Sequence, residues 1–306
     1  APGRVDDSYV ERMQNLVDGL RPGARLLLFA FDRFHDVEGR ASRQRSSFYT
    51  PNAYAQAVAA RNPQYFAWAA SIHPYRGDCV EALAAAVAGG AQAVKWLPPA
   101  MGIDPSSPLC DRFYAALAAA GLPLISHAGE EKAVHGGDQE AFGNPLLLRR
   151  ALDHGVRVVA AHCASLGSAV DLDQGENGPQ VACFDLFARL MSEARYEKLL
   201  FADISALTQR NRSEEILRVL IERSEWHPRL LNGSDYPLPG IVPLISPAEF
   251  AARGLLPPSA VVVLELVRQH NPLLFDFALK RHLSSRGQRF APTIFETRAF
   301  FERNTV

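Results

Sequence analysis

The sequence predicts an α/β fold built from repeated strand–helix units, and three observations lead to this prediction. Short apolar runs alternate with Ala- and Leu-rich segments of helical spacing along most of the 306 residues. The runs are apolar almost throughout, which is typical of parallel strands covered on both faces. They recur about every 34 residues, as βα units do. Such units build a doubly wound sheet or a (β/α)8 TIM barrel, and we predict the barrel.

Seven candidate strands follow one another along the chain. They are RLLLFAFD from Arg25, YFAWAASI from Tyr65, QAVKWL from Gln92, PLISHA from Pro123, VRVVAAHC from Val156, LLFADIS from Leu199 and PRLLNGSD from Pro228. A barrel needs eight strands, and one regular step back from Arg25 lies before Ala1. The opening segment DDSYVERMQNLVDGL predicts a helix, and no candidate strand precedes it in the sequence. We therefore expect a barrel whose first strand is missing or supplied upstream of Ala1.

The rest of the chain supports one domain spanning residues 1–306. GRASRQRSSFYTP from Gly39 and the segment after Asp235 are loop-like, whereas SAVVVLELVRQH and NPLLFDFALKRHL predict C-terminal helices from about residue 257 onward. No Gly/Ser- or Pro-rich linker divides the sequence.

Composition excludes several classes of function. The net charge of −1 gives no field that would favour nucleic acid or an anionic membrane, and no apolar run approaches the length of a bilayer span. The four cysteines lie far apart without a C-x-x-C pair, which favours a reducing, cytoplasmic compartment. Nucleotide-binding and nucleophile-elbow motifs are absent. We expect a small-molecule substrate as the partner, and homo-oligomerisation stays open.

The strand ends carry the chemistry, because catalytic groups of parallel barrels gather at the carboxyl ends of strands. Each of the seven runs ends in polar residues, which are Asp32, His73, Lys95, His127, His162, Asp203 with Ser205, and Asp235. Imidazoles and carboxylates that converge are ligands suited to Zn²⁺. Such a metal polarises a carbonyl and acidifies a bound water, which suits hydrolysis of amides, esters and lactones.

Several of these segments together resemble the amidohydrolase superfamily. SHAG, AHCAS and NGSDYP, at the fifth, sixth and eighth barrel strands, carry the resemblance. The chain is most similar to the amidohydrolase-2-type, decarboxylase-like branch, which SIHPY, VKWLPP, FADIS and NPLLFDF also resemble. The similarity runs from about residue 25 to residue 280.

The resemblance implies roles for four residues. His127 would be a metal ligand, and His162 would bind a second metal or hold the water. Asp235 would bind metal and act as the catalytic general base. Lys95 matches a lysine that is carbamylated in some members and bridges two metals. The implied cofactor is one or two divalent ions, most simply Zn²⁺.

One departure from the family pattern is large. The family places an H-x-H pair at the end of its first strand, and this sequence contains no H-x-H. Either the natural protein is longer and supplies the pair, which we favour, or the chain has lost half of its primary metal site.

Four further residues are candidates for substrate binding. His73, before Pro74, either reaches the site or closes a turn. Glu130 either contacts the substrate or is a solvated loop charge, and Asp203 either orients a ligand or ends a turn. Arg33 opens an arginine-rich loop that would suit a carboxylate-bearing substrate.

These observations predict a metal-dependent hydrolase that cleaves a C–N or C–O bond of a small, anionic molecule. Two alternatives stay open at this stage. A non-oxidative decarboxylase would use the same motifs, and a non-catalytic barrel would explain the missing H-x-H. Product analysis distinguishes the first alternative, and metal analysis distinguishes the second.

Overall fold

The computed structural model describes residues 4–131 and 139–302. Within them, the strands are β1 (Leu26–Phe29), β2 (Phe34–His35), β3 (Ala41–Ser42), β4 (Phe66–Ala70), β5 (Ala93–Trp96), β6 (Leu124–His127), β7 (Val158–Ala161), β8 (Ser168–Val170), β9 (Gln180–Ala182), β10 (Leu200–Asp203) and β11 (Leu230–Leu231). The helices are α1 (Val5–Asp18), α2 (Asn52–Arg61), α3 (Cys79–Ala88), α4 (Pro98–Met101), α5 (Asp111–Ala119), α6 (Arg149–Asp153), α7 (Cys183–Met191), α8 (Glu214–Glu222), α9 (Pro247–Ala252), α10 (Pro258–His270), α11 (Pro272–His282) and α12 (Arg298–Phe301). Each of the seven predicted strands is confirmed, as is the alternation of strands with helices.

The chain divides into two compact units. The larger unit comprises Leu27–Arg61, Ala67–Asp203 and Thr297–Val306, and the smaller unit comprises Ala1–Leu26, Asn62–Phe66 and Ile204–Glu296. The prediction of one domain over residues 1–306 stays a prediction.

The sheet of the larger unit is parallel, as the apolar runs predict. Its strands lie in the order β1, β4, β5, β6, β7 and β10. Consecutive strands of the sequence are therefore neighbours, apart from the short hairpins β2–β3 and β8–β9, which pair antiparallel. These hairpins have two- and three-residue strands, which are too short to produce a periodic sequence pattern.

The register of the parallel strands decides which side chains share a face. Lys95 pairs with Ile125, Ile125 pairs with Val159, and Val159 pairs with Phe201. Because side chains alternate along a strand, residues two positions further on share this face. Lys95, His127 and Asp203 therefore belong to one face of the sheet.

The opposite face packs against helices. Trp96 follows Lys95, is fully buried, and stacks on Phe113 of α5 with ring centroids 5.5 Å apart. Its indole N–H donates to the carbonyl of Ile72 at 2.8 Å. Burial of one such ring stabilises the fold by about 2–3 kcal/mol.

In the smaller unit, Asn271 joins two helices. Its carboxamide oxygen accepts hydrogen bonds from the backbone N–H groups of Leu273 and Leu274 at the start of α11. Its side-chain nitrogen donates to the carbonyl of Leu16 in α1 at 2.7 Å. The apolar cluster of Leu16, Val17 and Leu273 is buried beside it. Helix α1 thereby docks on α11.

Membrane spans are absent from the helices of the described ranges: each is too short or too polar to cross a bilayer.

Candidate active site

His127 ends β6, at the point where a buried strand gives way to a loop. All four residues of the strand are buried, and His127 is 3 % exposed. Its Nδ1 lies 3.3 Å from Oε2 of Glu131, four residues further on. The glutamate beside this imidazole is therefore Glu131, whereas the glutamate selected from the sequence as a candidate is its neighbour Glu130. Helical spacing could not have predicted this contact, because the backbone between the two residues is a loop.

The Ala-Gly step after His127 allows two loops to pack closely. Gly129 has a φ of +90° and donates its N–H to the carbonyl of Gly143 at 2.7 Å. A Cβ at Gly129 would lie 2.6 Å from the carbonyl oxygen of Leu166, in the loop after β7. Glycine is required here by both conformation and space.

His162 follows β7 and departs from strand alternation. In the sheet, His127 pairs with Ala161. Because side chains alternate along a strand, regular continuation of β7 would place the His162 side chain on the face opposite His127. However, His162, Cys163 and Ala164 all have φ between 48° and 57°. This left-handed turn re-aims the imidazole, and the His127 and His162 ring centroids lie 5.4 Å apart.

Asp203, at the end of β10, holds this turn. Its Oδ1 accepts the backbone N–H of His162 at 3.1 Å and lies 3.8 Å from that residue's Nδ1. The thiol of Cys163 donates to the backbone carbonyl of Asp203 at 3.2 Å. Three consecutive left-handed residues cost of order 1–2 kcal/mol each, so these contacts stabilise an otherwise unfavourable backbone.

Lys95 lies on the same face of the sheet as His127 and is 5 % exposed. Its Nζ lies 5.5 Å from the centroid of the Phe29 ring. Strand alternation places the side chains of its neighbours Val94 and Trp96 on the opposite face. Metal contact and carbamylation of Lys95 stay predictions.

His73 follows β4 and is fully buried. Its Nε2 donates to the carbonyl of Met101 at 2.9 Å, and its Nδ1 accepts the N–H of Tyr75 at 3.2 Å. Burial is the main cause that lowers the pKa of His73 to about 3, and the nearby His35 adds to the lowering. The imidazole is neutral with both nitrogens used by the backbone, a geometry that favours the turn role over substrate contact.

Asp32 organises the turn that contains His73. Its Oδ2 accepts the N–H of His73 at 3.0 Å and a guanidinium N–H of Arg76 at 2.9 Å. Its Oδ1 accepts the N–H of Arg33. Paired carboxylates raise the pKa of Arg76, with Asp78 the largest contributor.

Two further substrate candidates lie in loops. The Arg33 guanidinium stacks over Tyr49, 3.9 Å from the ring centroid. The Glu130 N–H donates to the Leu166 carbonyl at 2.9 Å. Burial raises the pKa of the Cys183 thiol to about 11, and the charge of Glu130 adds to this shift. Substrate contact by Arg33 and Glu130 stays a prediction.

Asp235 belongs to the smaller unit and is described within it. It is exposed, has a φ of 54°, and its carbonyl accepts the N–H of Leu238 at 3.0 Å. Burial raises the pKa of Asp276 in α11 to about 6, against the charge of Lys280, and the negative charge of Asp235 adds to the rise. The meeting of Asp235 with His127 and His162 around one ion stays a prediction.

The donor set of the larger unit fits a divalent metal by its chemistry. Two neighbouring imidazoles, His127 and His162, are each within 4 Å of a carboxylate, Glu131 and Asp203 respectively. Imidazole ligands that are oriented by carboxylates are characteristic of zinc sites. Within residues 4–131 and 139–302, no three His, Cys, Asp or Glu side chains converge as a metal-binding group.

Comparison with known families identifies the chain. A family model described as Amidohydrolase matches residues 21–263. The chain belongs to the amidohydrolase family. Its fold is accordingly the α/β TIM-barrel class of this family. Members of the family are enzymes, which include hydrolases and decarboxylases. They generally use a divalent metal.

Solved structures of amidohydrolase-like proteins are distant. An uncharacterized TIM-barrel protein from Bordetella bronchiseptica shares 19 % identity over 75 % of this chain and 74 % of its own, with a TM-score of 0.47. A 5-carboxyvanillate decarboxylase from Sphingomonas paucimobilis shares 12 % identity over 74 % and 72 % of the two chains, with a TM-score of 0.48. A probable 2-pyrone-4,6-dicarboxylic acid hydrolase from Acinetobacter baumannii shares 14 % identity over 80 % and 95 %, with a TM-score of 0.46. Such similarity assigns no reaction to this chain. No curated protein matches it.

Proposed function

We propose that this amidohydrolase is a metal-dependent hydrolase that cleaves a C–N or C–O bond of a small, anionic molecule. The observation that carries the proposal is the His127–His162 pair, whose ring centroids are 5.4 Å apart at the ends of adjacent parallel strands. A left-handed backbone is unfavourable outside glycine, and its presence at His162 suggests a functional demand on the imidazole.

The proposed roles follow from the chemistry of each side chain. His127 and His162 would hold one or two divalent ions, Zn²⁺ in the simplest case, with Asp235 and Lys95 as further ligands. A bound ion of this kind polarises a carbonyl and lowers the pKa of a coordinated water. Glu131 orients the His127 imidazole, and Asp203 orients that of His162.

Asp235 is the proposed general base, which takes a proton from water and delivers it to the leaving group. Arg33 and Glu130 are the proposed groups around the substrate, whereas His73, whose two ring nitrogens are bonded to backbone, is proposed to support the turn. The guanidinium of Arg33 would recognise a substrate carboxylate.

Decarboxylation of an aromatic or conjugated acid is the alternative reaction. It would need the same metal and the same recognition of a carboxylate. The two reactions differ in what leaves the site: decarboxylation releases CO2, whereas hydrolysis generates a new acid together with an amine or alcohol.

The experiment incubates the metal-loaded protein with carboxylate-bearing amides, esters, lactones and aromatic acids, and analyses the products by mass spectrometry and CO2 release. We expect His127→Ala and Asp235→Asn each to lower turnover at least about 100-fold, with an unchanged circular dichroism spectrum.

His270→Gln is the matched control, because His270 is exposed at the end of α10 and should retain full activity. Unchanged kcat in Asp235→Asn would remove the proposed base. Release of CO2 would replace hydrolysis by the decarboxylase alternative. Purified protein that binds no divalent ion would support a non-catalytic barrel.

A further inference from the structure

Helix α11 buries an ion pair and exposes an aromatic ring, the reverse of the usual arrangement. Asp276 and Lys280 are 2 % and 1 % exposed, whereas Phe277 is 40 % exposed. The two charges are four residues apart, and Lys280 Nζ lies 2.7 Å from Asp276 Oδ2. Burying two charges is costly and often gives no net stability. We therefore expect this pair to have a role other than stabilising the fold.

A second hydrogen bond made by Lys280 indicates what the buried pair does. Lys280 Nζ also donates to the backbone carbonyl of Gly233 at 2.7 Å. Gly233 lies two residues before Asp235, in the segment NGSDYP that follows β11. The ammonium thus bridges a helical carboxylate and the loop that carries the proposed general base.

The loop has a particular need for such support. Asp235 has a left-handed φ of 54°, a conformation that non-glycine residues rarely adopt. Upstream, the N–H of Asn232 donates to the carbonyl of Ile294 at 2.8 Å. Together with the Lys280 bond, this contact holds Asn232 and Gly233, the first two residues of NGSDYP.

We infer that Lys280, held by Asp276, is a positioning residue that fixes the Gly233–Asp235 segment so that the Asp235 carboxylate is preorganised to bind metal. This inference rests on the proposed function, since it assumes Asp235 is a ligand. Neither Lys280 nor Asp276 touches the metal in this scheme. Loss of outer partners of metal ligands typically lowers metal affinity 10–100-fold.

The test replaces the pair by apolar residues, Asp276→Leu with Lys280→Met, so that no buried charge is left without its partner. Zn²⁺ alone is titrated calorimetrically into the full chain, and Co²⁺ is added separately to record its visible spectrum. We expect Zn²⁺ affinity to fall at least about 10-fold and the Co²⁺ spectrum to change, with little change in the thermal midpoint.

Leu279→Met is the matched control, because Leu279 is a buried neighbour on α11 whose replacement perturbs packing without removing a charge. It should bind Zn²⁺ as the parent protein does. Asp276→Asn with Lys280→Met is the second variant: it removes the same ammonium with a smaller change in volume, and is judged in the same way should the first fail to fold.

Asp235→Asn separates the two hypotheses. If it weakens Zn²⁺ binding and a folded pair variant does not, the positioning role is overturned while the proposed function stands. If Asp235→Asn leaves the affinity unchanged, the ligand assignment of the proposed function fails instead.

Discussion

Histidines at three strand ends differ because their ring nitrogens face different partners. His73 uses both nitrogens for backbone hydrogen bonds and is neutral. His127 faces the carboxylate of Glu131, and His162 faces that of Asp203. His73 has no ring nitrogen left to bind a metal, whereas a carboxylate beside an imidazole is the partner that orients metal-binding histidines. One residue type at equivalent strand ends therefore supports structure in one case and is suited to metal binding in the others.

His73 should make the protein sensitive to mild acid. Its pKa falls from 6.5 to about 3 on folding, so the unfolded chain binds more protons between these pH values. The free energy of unfolding should therefore decrease as the pH falls from 6.5 towards 3, by up to about 1.4 kcal/mol per pH unit. His73→Gln should be less stable than the parent at pH 7 but lose less stability on acidification, as measured by urea unfolding at several pH values.

His270→Gln again provides the comparison, since His270 is exposed at the end of α10 and its replacement removes an imidazole without disturbing a buried contact. Parallel stability–pH curves for His73→Gln and the parent protein would show that His73 is not the buried neutral group responsible.

Among the elements, the loops after β6 and β7 determine how the two imidazoles meet. The first loop lies against the second through Gly129, and the second begins with the left-handed turn at His162. Regular strand continuation would have separated the rings onto opposite faces. The site therefore depends on how two irregular loops fit each other, in addition to the parallel sheet beneath them.

Replacement of Gly129 tests this dependence. Gly129→Ala adds a Cβ 2.6 Å from the Leu166 carbonyl at a φ of +90°, and backbone cannot yield as a flexible side chain can. We expect the free energy of unfolding to fall by about 1–3 kcal/mol and the affinity for Zn²⁺ to weaken. Chemical denaturation and calorimetric titration measure the two effects.

Gly77→Ala is the control, because Gly77 has no atom within 4 Å of an added Cβ and no left-handed φ. It should be neutral or slightly stabilising. Equal stability of Gly129→Ala and Gly77→Ala would refute the close fit of the two loops.

At the scale of the whole molecule, proposed metal binding and folding are linked. The proposed ligands come from segments far apart in sequence, from Lys95 to Asp235, so an unfolded chain cannot present them together. A ligand that binds only the native state stabilises it by mass action.

Zinc should therefore raise the thermal midpoint of the parent protein, and a chelator should reverse the rise. At a free concentration of 100 times Kd, the expected stabilisation is about 2.7 kcal/mol. His127→Ala should abolish most of the shift in differential scanning fluorimetry, whereas His270→Gln should keep it. A midpoint that is independent of zinc in the parent protein would count against the metal hypothesis.

Much of the architecture was predictable because it depends on local sequence patterns, namely apolar runs and the residues that bound them. Apolar runs such as LPLI before Ser126, which recur at the spacing of βα units and are bounded by Gly or Pro, favour strands. The hairpins β2–β3 and β8–β9 escaped prediction, since their strands of two and three residues are shorter than any detectable period. The contact of Glu131 with His127 also escaped, because an irregular loop has no fixed spacing.

The sequence by itself determined the parallel α/β architecture, the strand ends at which His127, His162 and Asp203 lie, and membership of the amidohydrolase family. These depend on local hydrophobicity and on short motifs. Only the tertiary structure decided that His73 is sealed into a turn, that His162 turns back towards His127, and that a buried lysine of α11 holds the segment before Asp235. These outcomes depend on backbone dihedrals and on partners far away in the chain, which hydrophobic periodicity does not encode.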